Sequence, residues 1–252
     1  MNRHFFSVIV MITIIASALT SCKKDGKDEE KDEITVTGNI KDLTKWEDVC
    51  VSYDGGKTFA ATAPITWTSV PIVTGGNFSI TLKKPDKTYP IKELISNAIS
   101  GNVLNPNGID LSILTNKALS YISDPEVIGC MASFYVRKGE ETDTLSAADF
   151  SKITESTLSL MQYIYVAKSV NINGKLEEDI KGTVDIPDVG TTDVNVPVKL
   201  EFATNLTKGW NPTLLSMSKI KVEERNGFAI THKNGVASNA TWMVDIYNKI
   251  PK

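Results

Sequence analysis

Apolar and polar residues alternate with a period of two along most of this chain. Ile34, Val36 and Ile40 alternate with Thr35, Thr37 and Asn39, and Phe78, Ile80 and Leu82 alternate with Asn77, Ser79 and Thr81. Ile180, Val184 and Ile186 keep the same rhythm. The cleanest run sets Val194, Val196, Val198, Leu200 and Phe202 against Asn195, Pro197, Lys199 and Glu201. Successive side chains of a strand point to opposite faces, so these are half-buried strands. Between them stand dipeptides that accept positive φ, namely Gly55-Gly56, Gly75-Gly76, Asn173-Gly174, Asn226-Gly227 and Asn234-Gly235, at spacings that suit antiparallel hairpins. The pattern predicts an all-β body of two antiparallel sandwich-like units. Pro197 has no N–H to give a ladder, which predicts a sheet edge or a bulge for its strand.

Two stretches, Val127 to Val136 and Leu158 to Val170, are apolar on both faces and read as central strands covered on both sides. The polar segment between them is read as a linker or long loop over 139–157. It divides the body into an N-terminal β-sandwich at 34–138 and a C-terminal β domain at 158–250. One short helix is predicted from Ile91 to Ile99, where Ile91, Leu94, Ile95, Ala98 and Ile99 share a face after Pro90.

The amino terminus changes the picture. An uncharged apolar run from Phe5 to Leu19 follows Arg3 and ends at Thr20-Ser21, and at roughly 15 residues it is shorter than the roughly 20 that a bilayer-spanning helix needs. It reads as a signal peptide over 1–21. Leu19-Thr20-Ser21-Cys22 resembles the lipobox of bacterial lipoproteins, which implies cleavage before Cys22 and a lipid on its sulfur. Residues 23–33 hold no apolar side chain, so 22–33 reads as the lipidated cysteine with a solvated acidic tether. Such an anchor supplies the membrane attachment without a transmembrane element. The acidic run after Cys22 also resembles the signal that sends lipoproteins of Bacteroides-type bacteria to the cell surface.

With 41% hydrophobic residues the body has an ordinary globular composition, and 27 basic against 30 acidic residues leave no basic excess for nucleic acid. Candidate chemistry is thin. Ser52-Tyr53-Asp54-Gly55-Gly56-Lys57-Thr58-Phe59 matches the Asp-box hairpin of sialidases, yet beyond the leader only Arg137 and Arg225 are available to clamp a carboxylate. His232, beside Asn234-Gly235, reads as a solvated turn histidine without a nucleophile or an orienting partner. The acidic runs Glu177-Glu178-Asp179 and Asp185-Ile186-Pro187-Asp188 lack the ligand spacing of a calcium loop, no His/Cys cluster has zinc spacing, and no cofactor or metal is expected. Cys50 and Cys130 are either a disulfide or two buried thiols. Trp242 alternates with Val244 and points inward, whereas Trp46 and Trp67 are candidates for stacking on a ligand such as a sugar. Asp143-Thr144-Leu145 resembles a short O-glycosylation motif of Bacteroides-type envelope proteins, which makes Thr144 the candidate acceptor.

Several strand motifs carry a wider resemblance. Val36-Thr37-Gly38-Asn39-Ile40, Gly76-Asn77-Phe78-Ser79-Ile80-Thr81-Leu82, Phe134-Tyr135-Val136, Tyr163-Ile164-Tyr165-Val166 and Leu206-Thr207-Lys208-Gly209-Trp210-Asn211 resemble a group of uncharacterised Bacteroides-type surface lipoproteins with a transthyretin-like, carboxypeptidase-regulatory-like sandwich. The resemblance implies an outer-membrane address and a fold, and no activity. The expectation is a non-enzymatic envelope lipoprotein acting as a binding or accessory module for a glycan or an envelope protein. A subunit assembling through β-edges, and a carboxylate-based glycan-active enzyme, are the alternatives.

Overall fold

The computed structural model describes residues 32–41, 45–53, 68–94, 112–149, 157–186, 190–237 and 239–245. Cys22 with its leader and most of its tether, Trp67, most of the Asp-box match, Gly55-Gly56 and the second half of the expected 91–99 helix lie outside these residues. Within them the chain is all-β and sandwich-like, with strands β1 (Ile34–Asn39), β2 (Asp48–Ser52), β3 (Thr68–Pro71), β4 (Asn77–Leu82) and β5 (Tyr89–Pro90) in its first third. Helix α1 (Ser112–Ser120) and strands β6 (Ile128–Met131), β7 (Ser133–Lys138), β8 (Glu141–Asp149) and β9 (Thr157–Val166) follow. The chain continues through β10 (Val170–Ile186), β11 (Gly190–Leu206), β12 (Gly209–Val222), β13 (Arg225–Asn234) and β14 (Thr241–Val244). No helix among the described residues is long and apolar enough to cross a membrane.

One sheet runs through both halves in the order β10-β11-β13-β12-β9-β8-β7-β2-β3, with β14 added on β8 and β5-β6 added on β9. A second, two-stranded sheet pairs β1 with β4. Every strand pair is antiparallel except β11 with β13, which run parallel over Val198–Phe202.

The expected division of the body is corrected here. Residues 141–149, inside the segment read as a linker, form β8, which pairs with β7, β9 and β14. Their Thr and Ala side chains are polar or small enough to pass for a loop, but Leu145, Ala147 and Ala148 are buried.

The interior is nonetheless double, because the two cores lie on opposite faces of the one sheet. Leu158, Leu160, Ile164 and Val166 of β9 enter a core with Leu200, Phe202, Leu215 and Ile230 that α1 covers through Leu114 and Ala118. Tyr163 and Tyr165, on the other face of β9, enter a core with Trp210, Phe134, Trp242 and the β1–β4 pair. That is why β9 is apolar on both faces. In the second core Trp242 meets Phe78 and Phe134 edge to face, with ring centroids 5.0 Å apart in each pair. Burial pushes the Tyr163 hydroxyl up to about 12.

Residues 91–94 begin a helical turn as expected, and the nine-residue helix α1 at 112–120, which the sequence pattern did not single out, places Leu114 and Ala118 in the core with Leu119 packed against it. Of the expected turns, Gly75 and Gly76 adopt φ of 82° and 83° in the turn before β4, and Gly235 follows β13 at 125°. Asn173-Gly174 and Asn226-Gly227 instead lie inside strands. The β12–β13 hairpin turns at Glu223-Glu224, with φ of 49° and 66°.

Candidate functional site

The longest elements, β10 and β11, pair over their full 17 residues each, from Val170↔Leu206 to Ile186↔Gly190. β11 meets β13 only from Val198 onward, so the ribbon from Asp179↔Pro197 to Ile186↔Gly190 has no other strand paired to it among the described residues. At about 3.3 Å per residue this stretch is about 25 Å long. Pro197 marks where the second ladder stops, and its carbonyl and ring fill the space a Cβ on Gly227 would need, 2.2 Å from the carbonyl oxygen. The strand is thus an interior strand over 198–202 and an unpaired edge before it, which is how it tolerates a proline.

The root of the ribbon is clamped by the residues after α1. The Asn173 N–H donates to the Tyr121 carbonyl at 3.2 Å, the Ser123 N–H to the Asn171 carbonyl at 2.8 Å, and the Tyr121 hydroxyl to the Lys175 carbonyl at 2.7 Å. The Tyr121 ring lies on Gly174, where a Cβ would fall 2.2 Å from ring Cγ, and it also meets Phe202 at 6.1 Å. Gly174 therefore serves close packing rather than a turn. Positions 171, 173 and 175 spend their main-chain groups on this outer edge, so by strand alternation 177, 179, 181 and 183 aim theirs outward too. Those four pair with no other strand among the described residues.

The side chains of the same odd positions form a charged face. Lys175 bridges Glu201 at 2.8 Å, Glu177 bridges Lys199 at 2.8 Å, and Asp179 bridges Arg225 at 2.6 Å. Glu178, on the other face, pairs with Lys117 of α1. The acidic run Glu177-Glu178-Asp179 is thereby divided among three cations and between the two faces of the strand. The guanidinium of Arg225 holds the Asp179 carboxyl below the usual carboxylate range. On the inner face Ile180 is 7% exposed and joins the α1-covered core.

The remaining candidates are dispersed. Trp46 is half-buried, carries the Lys45 ammonium 4.4 Å from its ring centroid, and borders an open depression of ≈ 600 Å³ with Ile40, Ile72, Val73, Thr74, Gly75 and Gly76. Of these lining side chains only those of Trp46 and Thr74 carry a polar atom, and main-chain groups supply the rest of its polar lining. Cys50 and Cys130 are buried thiols on β2 and β6 and form no disulfide, so the bridged alternative is not realised. Burial pushes the Cys50 thiol up.

Thr144 sits within β8 opposite Tyr135, and its carbonyl accepts from the Asp245 N–H at 3.0 Å. The linker position that suited its glycosylation is absent. His232, expected at a solvated turn, is 1% exposed in β13 opposite Phe202 and Leu215, and burial holds it well below its ordinary pKa and hence neutral. Among the described residues no three His, Cys, Asp or Glu side chains converge as for a metal.

The element that sequence reasoning underrated is the clamp and arm. Its signal was the period-two alternation over the 17 residues on either side of 187–189, broken at single positions such as Glu178 and Thr204. No family model, curated protein or solved structure matches this chain.

Proposed function

We propose that this chain is a non-enzymatic lipoprotein of a bacterial outer membrane, held by lipid on Cys22, and that it works as a binding or accessory module whose contact element is the β10–β11 arm. The observation that carries the reading is the outer edge of β10, where a ribbon clamped at its root presents outward main-chain groups at 177, 179, 181 and 183. An extended polypeptide adds to such an edge through main-chain bonds, with alternate side chains setting selectivity.

The direction of the arm supports display away from an anchor. Asp32, where the described chain begins, accepts from the Tyr165 hydroxyl at 3.3 Å near the Val166 end of β9. Val166 pairs with Gly209, and the β12–β13 turn, with the arm beside it, lies at the opposite end of the strands. An amino-terminal tether and the arm tip therefore leave from opposite ends of the sheet. Assembly through β-edges, the second function expected from sequence, draws on the same edge.

The test uses the full chain in intact bacteria with a photo-activated cross-linking residue at position 183, and at 218 on the half-buried face of β12 as control. Adducts at 183 and none at 218, with acyl mass on Cys22, are expected. An unmodified Cys22, or no adduct at 183, overturns the proposal.

A further inference from the structure

We infer that the strand that adds to the β10 edge is β10 of a second copy of this chain, antiparallel about a two-fold axis through Ile180. The inference rests on the proposed role of the arm as a binding edge and names its occupant. An antiparallel pair related by a two-fold axis sets residue i against a residue j such that the sum of i and j is constant. Outward main-chain groups belong to the odd positions, so only registers that match odd with odd are allowed.

Centring on Asp179 sets Lys181 against Glu177 but places two carboxylates opposite each other, and centring on Lys181 opposes two ammonium groups and leaves Asp179 against Thr183. Centring on Ile180 sets Asp179 against Lys181 of the second copy, and by symmetry Lys181 against its Asp179. Glu177 then faces Thr183, again twice. In this register the positions 177, 179, 181 and 183 form hydrogen-bonded pairs, adding about eight N–H···O bonds. Ile180 meets its symmetry mate in a non-hydrogen-bonded pair.

The side chains on this outer face suit that partner. Asp179, Lys181 and Thr183 are exposed, and across the ribbon Lys181 stands opposite Asn195 rather than an acid. Arg225, already 2.6 Å from Asp179, would share that carboxylate with the incoming Lys181 in a three-member network. The selectivity is electrostatic: directly opposed like charges on neighbouring strands are destabilising, and of these three registers only the one centred on Ile180 combines opposite-charge pairs with no like-charge pair.

The experiment co-expresses two differently tagged full-length copies in the native host and recovers one tag from membranes dissolved in mild detergent. Wild-type copies are expected to co-purify. Lys181→Glu in both copies opposes Asp179 with Glu twice, and Asp179→Lys in both opposes two lysines twice, and each should lower recovery at least tenfold. One copy with Lys181→Glu and the other with Asp179→Lys restores both ion pairs and should return recovery to near the wild-type level. That rescue also shows that both variants fold.

Wild-type copies that do not co-purify, single variants that co-purify undiminished, or a mixture that fails to recover would each overturn self-pairing. The photo-cross-link at 183 separates this from the broader reading. An adduct of twice the chain mass supports self-pairing, an adduct with a different protein overturns it and leaves the arm a binding edge, and no adduct overturns both.

Discussion

Gly174→Ala is the sharpest probe of how the arm is held. A methyl group there would lie 2.2 Å from Cγ of the Tyr121 ring, so the ring must leave. Its departure breaks the 2.7 Å bond from the Tyr121 hydroxyl to the Lys175 carbonyl, a loss of about 0.5–1.5 kcal/mol. It also removes the Tyr121–Phe202 contact, with centroids 6.1 Å apart, which contributes about 0.5–1.5 kcal/mol more. Replacing a strand glycine by alanine recovers up to about 1 kcal/mol through the unfolded chain. The net expectation is a destabilisation of about 1–2 kcal/mol by urea denaturation.

The same substitution in a Tyr121→Ala background meets no ring and should be neutral or mildly stabilising, which gives a coupling energy of about 1–3 kcal/mol in a double-mutant cycle. An additive cycle, with Gly174→Ala costing the same in both backgrounds, would refute the clamp.

Three other outcomes are expected. Replacing Glu223-Glu224 by Asn-Gly relieves two side-chain-bearing residues at φ of 49° and 66° and should stabilise by about 1–2 kcal/mol, read by calorimetry as a rise of about 2–8 °C in Tm; an unchanged or lower Tm counts against it. The exposed Glu223–Arg225 contact at 3.7 Å that is lost contributes little. Because His232 is neutral in the fold while it takes up a proton near pH 6.5 when unfolded, its contribution is fully present above that value, and it is lost at up to about 1.4 kcal/mol per pH unit as pH falls toward the depressed folded value. Denaturation at pH 7.5 and 5.5 should therefore show a smaller pH effect in His232→Leu than in wild type, and an equal effect would contradict the assignment. A thiol reagent should find Cys50 and Cys130 unreactive in the native protein and reactive after unfolding, whereas rapid native reaction would contradict their burial.

The all-β class was legible because strand periodicity survives wherever one face is wet, as in β1, β4 and β11. It was legible even at β9, where polar alternation vanishes, because burial on both faces leaves an apolar run of its own. The partition of the chain was not legible, since β8 buries Leu145, Ala147 and Ala148 while showing Thr and Ser to the eye. Small residues suffice there because the strand is packed between neighbours. Two of the Asn-Gly signals misled for a related reason: Gly174 and Gly227 lack side chains to admit Tyr121 and Pro197, a tertiary demand that local turn chemistry cannot encode. His232 was misplaced by its nearness to Asn234-Gly235, since the turn begins only after the strand that buries it ends.

The arm poses an energetic problem that its sequence addresses. Ordering each backbone residue costs about 1–2 kcal/mol, and a lone two-stranded ribbon is marginal in water. Its outer face at Asp179, Lys181 and Thr183 is solvated, so apolar burial on that side contributes little, and among the described side chains the ribbon is held by its root, by Ile180 and by Val196 packed against the same core. A long unpaired edge also invites indiscriminate strand addition. Charges on the odd positions discourage that: an apolar strand laid along the edge would give Lys181 no partner, whereas a strand of alternating opposite charge would meet Lys181 and join the Asp179–Arg225 pair. An edge guarded in this way is closed to most sequences and open to a narrow class, and the order Asp-Ile-Lys at 179–181, read in reverse against itself, belongs to that class.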